Sequence, residues 1–132
     1  MRAIPQGASG SFTLKVMPDH LASRFKDAML PPVLATPYLV LIAENAALDA
    51  IRHYLDPGES AVGTAISLEH LAPTPAGHTV RGHAEVVKVE GRRVAFKISV
   101  RDEIEEIGRG THARMVIDVA RFMKRLKAKS PP

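Results

Sequence analysis

Glu44, a carboxylate, lies in the middle of a long and mostly apolar stretch that runs from Ala35 to Leu55. On a helical period of 3.6 residues, Glu44 falls on the side expected to be covered, among Val40, Leu48, Ile51 and Leu55. An ionised carboxylate there is costly unless something pairs with it, so either its pKa rises or a partner is present. Such acids serve in catalysis, and structural ion pairs produce the same pattern. Glu44 is therefore a candidate catalytic residue or one half of an ion pair.

His70 is the second candidate, because it lies in phase with an apolar row on a predicted strand. If the pleat is regular, one face of that strand carries Val62, Thr64, Ile66, Leu68 and His70. A lone histidine in such a row is more often a satisfied core residue, but a buried Glu44 on the covering helix would complete an acid–base couple. Gly63, in the opposite phase, marks either a bulge or a close backbone approach by a ligand or another chain.

The element that positions Glu44 is a predicted helix. Thr36 suits its N-cap, where the side-chain oxygen accepts from a free backbone N–H, and Pro37 suits the first helical position. Asp56-Pro57-Gly58 ends it. Met29 to Pro32 predicts an irregular segment before the helix, either a lid or a plain connector.

Five strand-like runs accompany this helix. They are Ser11 to Pro18 before it, and Ala61 to Leu71, Thr79 to Glu90, Arg93 to Arg101 and Ile104 to Val119 after it. The alternation in the run after Thr79 slips beyond Val86, which predicts a β-bulge. Short links predict an antiparallel sheet with the apolar helix on one face. The expected fold is α+β, a hotdog fold with a five-stranded antiparallel sheet wrapped around one long helix.

Length and composition narrow the function classes. We expect the 132 residues to form one domain, with residues 1–10 as a loose arm and 120–132 as a basic tail. The net charge of +4 sits mostly in that tail and aromatic residues are few, which argues against a nucleic-acid partner. There is no cysteine, no metal-binding motif and no phosphate-binding glycine loop, so we expect no metal and no cofactor. No apolar run is long enough for a membrane span, and a cytoplasmic location is expected.

Longer motifs resemble a known family. The segments HYLDPGES, GTAISLEHLAPTPAG, VEGRRVAFKISVRD and EIGRGTHARMVI, within residues 33–117, are similar to the fluoroacetyl-CoA thioesterase group of hotdog thioesterases. The resemblance implies a catalytic set of Thr36, Glu44 and His70. It also implies that Gly63 lies near the thioester carbonyl.

The resemblance further implies an acyl-CoA substrate, with CoA as part of the substrate, and a homodimer or tetramer with sites at subunit interfaces. The sequence departs from the family at Leu30, where the fluoroacetyl enzyme has a phenylalanine lid residue. We assign Leu30 to substrate binding, and it favours a short- or medium-chain acyl-CoA over fluoroacetyl-CoA. The alternative function is a non-catalytic acyl-CoA binding or sensing module, although a pure binder has no need of a buried acid. A hotdog hydratase ranks lower.

Overall fold

In the computed structural model, which describes residues 1–131, one antiparallel sheet of five strands has the order β1-β3-β4-β5-β2. The strands are β1 (Ser9–Lys15), β2 (Glu59–His70), β3 (Thr79–Glu90), β4 (Arg93–Arg101) and β5 (Glu106–Asp118). The helices are α1 (Ala22–Phe25), α2 (Thr36–Ile51) and α3 (Val119–Ala128). Strands β1 and β2 are the two edges, and α2 is the long helix between them in sequence.

The inner face of the sheet packs on α2, and small side chains on the helix allow a close approach. The helix buries Leu39, Ile42, Ala43, Ala46, Ala47, Ala50 and Ile51. The alternation in β4 turns Val94, Phe96, Ile98 and Val100 to this core, each at most 1% exposed. At Gly10 a Cβ would lie 2.3 Å from the Ala50 nitrogen and 2.6 Å from the Ala46 carbonyl oxygen. Strand β1 therefore runs directly against the helix backbone.

The start of α2 differs from the prediction. Ala35 is its N-cap and Thr36 is already helical, so the predicted cap at Thr36 is wrong by one residue. The Thr36 hydroxyl contacts His70 instead of a backbone N–H of the helix. At its other end the helix stops at Ile51 and continues as a 3₁₀ turn over Arg52–Tyr54.

Residues 1–10 do not form the loose arm that was predicted. Ile4 is buried in the core, and strand β1 already begins at Ser9. The Arg2 N–H donates to the Tyr54 carbonyl and the Gly7 N–H to the Val86 carbonyl, each at 2.8 Å. These hydrogen bonds and the burial of Ile4 hold the segment against the sheet.

The basic tail forms α3 as far as Ala128, and no residue of that helix is buried. The Asp118 side chain caps it by accepting from the Arg121 N–H at 3.0 Å. Pro132, the last residue of the predicted tail, lies outside the described residues.

Three register shifts interrupt the strands, and two of them bear on the predictions; the third lies between Val100 and Arg101. The predicted slip after Val86 is confirmed as a register shift between Val86 and Lys88. A second shift, between Gly63 and Ala65 in β2, agrees with the bulge that was one of the two interpretations of Gly63. It changes the side to which residues before it point, since each inserted residue reverses the alternation.

Because of this second bulge, Gly63 and His70 share the helix-facing side of the sheet. Gly63 pairs with Arg114 and His70 with Gly108. Directly paired residues face the same side, and both partners lie against α2, Arg114 at Glu44 and Gly108 at Leu39. The opposite phases predicted for Gly63 and His70 are therefore wrong.

Candidate active site

Glu44 lies in the middle of α2 with its side chain 40% exposed, at the open side of the fold beside edge strand β2. Its Oε2 accepts a hydrogen bond of 3.2 Å from Nη1 of Arg114 on β5. The sequence required a partner for this carboxylate, and the structure supplies a guanidinium. Glu44 is less covered than predicted, because no further strand lies beyond β2 in the single chain.

Arg114 is buried and links three groups. Its Nη2 donates to the Ala61 carbonyl at 2.8 Å, and its Nη1 lies 3.1 Å from Nε2 of His112. The Nδ1 of His112 lies 2.7 Å from the Ala65 carbonyl oxygen, which can only accept. Nδ1 therefore carries the hydrogen, and Nε2 accepts from Arg114.

Burial lowers the pKa of His112, and the charge of Arg114 lowers it further against the opposing influence of the Ala65 carbonyl and Glu44. The lowered pKa favours the neutral ring of His112. A neutral ring matches the tautomer required by its two hydrogen bonds. His112 thus orients Arg114, and Arg114 orients Glu44.

Gly63 gives this group room. A Cβ at Gly63 would lie 2.9 Å from Oε2 of Glu44, 3.4 Å from Nη1 of Arg114 and 3.5 Å from Cε1 of His112. Only a glycine lets the β2 backbone come this close to the carboxylate. The structure therefore places the Gly63 backbone beside the carboxylate of Glu44, a proximity that was not predicted.

A second group joins Thr36 and His70. The Thr36 hydroxyl oxygen lies 2.9 Å from Nδ1 of His70. The Nε2 atom of His70 is buried and has no hydrogen-bond partner among residues 1–131. Burial lowers the pKa of His70, while the backbone of Ala72 acts in the opposite direction. The ring sits at a surface pocket of about 290 Å³ that is also lined by Val33, Leu71, Ala72 and Pro73.

The two groups are separate within one chain. Thr36 and Glu44 are eight residues apart on α2, a rise of about 12 Å along the helix axis. The structure thus brings Thr36 to His70, and Glu44 to Gly63, without joining all four residues. Leu30 lies half-buried in the loop between α1 and α2, where its N–H donates to the Asp27 carbonyl at 3.0 Å.

Sequence reasoning missed His112 and Arg114. Neither was a candidate, although both lie within the strand predicted from Ile104 to Val119. The segment GTHAR contains both missed residues and was quoted for the family resemblance. A histidine and an arginine two apart, next to the apolar Ala113, Met115 and Val116, were the available signal.

Within residues 1–131, no three His, Cys, Asp or Glu side chains are grouped so that they could hold a metal ion. The side chains of the two groups described above offer a carboxylate, two imidazoles, a guanidinium and a hydroxyl. None of the helices described over that range is long and apolar enough to cross a membrane.

Comparison with known proteins agrees with this fold. Residues 16–120 match the family described as fluoroacetyl-CoA-specific thioesterase. A fluoroacetyl-CoA thioesterase from Streptantibioticus cattleyicolor is 44% identical over 104 residues, which cover 79% of this chain and 75% of that protein.

Solved structures extend the similarity over nearly the whole chain. A structure of the fluoroacetyl-CoA thioesterase FlK has a TM-score of 0.91 at 36% identity, covering 98% of this chain and 99% of that one. A hot-dog-like protein from Thermanaerovibrio acidaminovorans has a TM-score of 0.87 at 22% identity, covering 98% of this chain and 95% of that one. The latter bears on the fold alone.

The fold and the comparisons define a hotdog-fold thioesterase, which confirms both the predicted fold class and the predicted enzyme class. Since the family match spans most of its length, the chain belongs to the fluoroacetyl-CoA-specific thioesterase family. The resemblance inferred from the sequence motifs is thereby confirmed.

Proposed function

We propose that this thioesterase hydrolyses a short- or medium-chain acyl-CoA to the free acid and CoA, using Thr36, Glu44 and His70. The observation that carries the proposal is the free Nε2 of a half-buried imidazole, whose Nδ1 is held by Thr36. A ring fixed at one nitrogen and free at the other is arranged to exchange a proton with a ligand. The CoA ester as substrate class is taken from the relatives named above.

Glu44 is the proposed catalytic carboxylate, which acts either as a nucleophile or as a general base. As a nucleophile it would attack the thioester carbonyl, form an anhydride as the C–S bond breaks, and be released by water. As a general base it would take a proton from water that attacks the same carbon. In either case Arg114 fixes the carboxylate, and backbone N–H groups near Gly63 would stabilise the oxyanion.

His70 is the proposed proton donor to the leaving sulfur. When the Thr36 hydroxyl donates to Nδ1, the hydrogen of a neutral ring is on Nε2, the nitrogen without a protein partner. To act as the acid, the ring first takes up a solvent proton and becomes an imidazolium, with the Thr36 oxygen then accepting from Nδ1–H. The Nε2 hydrogen passes to the thiolate as the C–S bond breaks, and a neutral ring remains. In this arrangement Thr36 acts on His70.

A homodimer would complete the site. Strand β2 is a twelve-residue edge, and residues 63–67 in its middle are exposed. Exposed edges of this length pair readily with another strand. Antiparallel pairing of two β2 edges would bring the Gly63 end of one chain, with Glu44, toward the His70 end of the other. The 12 Å separation along α2 would then be bridged between subunits.

Leu30 bears on the acyl group. It replaces the lid phenylalanine of the fluoroacetyl enzyme, so we propose that fluoroacetyl-CoA is not the preferred substrate. An aliphatic side chain in this loop suits the hydrocarbon of a short or medium acyl chain.

Release of free thiol from acyl-CoAs, from acetyl to decanoyl with fluoroacetyl included, tests the proposal. We expect turnover on a non-fluorinated member, and a loss of about 10²- to 10⁴-fold in kcat for Glu44→Gln and for His70→Ala. Glu69→Gln and His83→Ala are matched controls, because both residues are exposed, Glu69 on β2 and His83 on β3. CoA esters that bind without cleavage would establish the acyl-CoA binding module instead.

Mixing the two inactive variants tests the shared site. Co-refolded Glu44→Gln and His70→Ala chains would form heterodimers in which one of the two sites is intact. With random pairing, about a quarter of wild-type activity should return. If each chain contained a complete site, mixing would restore nothing.

A further inference from the structure

The loop that follows His70 carries a buried threonine outside the groups described so far. Thr74 lies four residues beyond His70 and is 0% exposed. Its hydroxyl donates to Oδ2 of Asp102 at 2.8 Å, and the Asp102 side chain is only 2% exposed. Each buried polar side chain of this kind calls for a structural explanation.

The backbone of Thr74 leads to the other half of the Thr36–His70 group. Its carbonyl accepts from the Leu34 N–H at 2.8 Å, two residues before Thr36. Leu34 is 1% exposed, and the neighbouring Ala35 N–H donates to the His20 carbonyl at 2.9 Å. The start of α2 is therefore attached to the same residue that follows His70.

Asp102 is itself fixed from several sides. Its Oδ1 accepts from the N–H groups of Ile104 at 2.8 Å and Glu105 at 2.9 Å. Burial raises the pKa of Asp102, but these two bonds and the Thr74 hydroxyl outweigh it and leave the pKa below its usual range. The carboxylate is thus ionised at neutral pH and accepts the hydrogen bond from the Thr74 hydroxyl. Nδ1 of His78 lies 3.9 Å from Oδ2, the nearest cation when protonated.

The end of β2 is tied to the same region. The Leu71 N–H donates to the Ile107 carbonyl at 2.7 Å, just after the loop that carries Asp102. The segments bearing Thr36 and His70 are therefore both attached to the buried region around the Thr74–Asp102 hydrogen bond. Thr36 and His70 are 34 residues apart in sequence, and their 2.9 Å contact requires these segments to be held together.

We propose that Thr74 and Asp102 are positioning residues, which set the separation and orientation of the Thr36 hydroxyl and the His70 ring from behind. Neither touches the substrate. Loss of the Thr74 hydroxyl would leave the Asp102 oxygen short of a donor, and the loop would shift. The inference rests on the proposed role of His70.

The test compares Thr74→Val, which keeps the volume and removes the hydroxyl, with Thr74→Ser, which keeps the hydroxyl. For Thr74→Val we expect kcat to fall by about 10- to 100-fold, because small displacements of reacting groups cost that much. KM should stay within about twofold, since binding groups are untouched. Thr74→Ser should recover most of kcat.

A second readout separates positioning from general destabilisation. The NMR titration of the His70 ring should move upward toward 6.5 in Thr74→Val, since a looser loop admits water to a buried imidazole. Val80→Ala, a core truncation on β3, serves as a control that lowers Tm and keeps both partners of the Thr74–Asp102 hydrogen bond. It should leave the titration in place.

The proposal is overturned if Thr74→Val keeps the wild-type kcat and His70 titration, or if Val80→Ala changes both as much. Should the wild-type enzyme cleave no acyl-CoA, the proposed function fails, while the His70 titration still decides whether Thr74 positions the ring. The two failures are therefore distinguishable.

Discussion

At the scale of single residues, Glu44 depends on one guanidinium. Arg114 is buried, has Glu44 as its only carboxylate within salt-bridge distance among residues 1–131, and is held on its other side by Ala61 and His112. Loss of the acid leaves a buried cation unpaired, which costs more than loss of the pair as a whole. Activity measurements on Glu44→Gln therefore need a parallel unfolding curve.

Gly63→Ala should reduce activity without unfolding the protein. The new Cβ would lie 2.9 Å from Oε2 of Glu44 and displace the carboxylate from Arg114. We expect kcat to fall by about 10- to 100-fold, with the free energy of unfolding changed by about 1 kcal/mol or less. Ser67→Ala, an exposed substitution on the same strand, is the control. Wild-type kcat in Gly63→Ala would show that the carboxylate position does not matter.

His112 should make the stability depend on pH. Its pKa is lowered by burial, so its contribution is complete above pH 6.5 and is lost as the pH falls through the lower pKa of the folded state. His70 acts in the same direction. Urea unfolding between pH 7 and pH 5 should lose up to about 1.4 kcal/mol per pH unit for each ring.

His112→Gln should flatten that pH dependence, because glutamine does not titrate in this range. The slope is the relevant quantity, since the substitution also changes the absolute stability. An unchanged slope in His112→Gln would mean that the ring is not held neutral in the folded protein.

At the scale of elements, the close approach of β1 to α2 limits substitution. A Cβ at Gly10 meets the backbone of Ala46 and Ala50, which cannot rotate away as a side chain would. Gly10→Ala should cost about 3 kcal/mol in the free energy of unfolding, measured in urea. The exposed neighbour provides the control as Ser9→Ala, which should change little. Equal free energies of unfolding for Gly10→Ala and Ser9→Ala would mean that α2 shifts away from the added Cβ at no cost.

The sequence predicted the elements better than their phases. Apolar alternation in β4 and the length of the apolar helix were enough for the sheet, the helix and the hotdog fold. One bulged residue after Gly63 reversed the strand phase. The glycine was compatible with a bulge and with a close backbone approach, so the sequence alone did not fix the phase. Threonine is a common N-cap residue, so Thr36 suited that position. Its actual partner, His70, is 34 residues away in sequence, and local sequence patterns do not predict such a contact.

At the scale of the whole molecule, edge strand β2 should decide the oligomeric state. Ile66 lies in the middle of that edge and is 38% exposed in the single chain. Ile66→Lys places a charge on the proposed pairing surface and should yield monomers without turnover, as measured by sedimentation velocity and thiol release. Val87→Lys is matched, since Val87 is 37% exposed but lies on interior strand β3. A wild-type monomer, or a dimeric Ile66→Lys, would contradict the proposed assembly.

The glycine–alanine contact between β1 and α2 also bears on how such enzymes diversify. Ala46, Ala47 and Ala50 are already small, and Gly10 has no side chain to lose, so mutation cannot hollow out space there. On the proposed roles of Leu30 and of the β2 edge, adaptation to a new acyl length would instead change the loop around Leu30 or that edge. Selection for substrate range therefore acts on residues that stability constrains least, and the scaffold can drift slowly while specificity changes quickly.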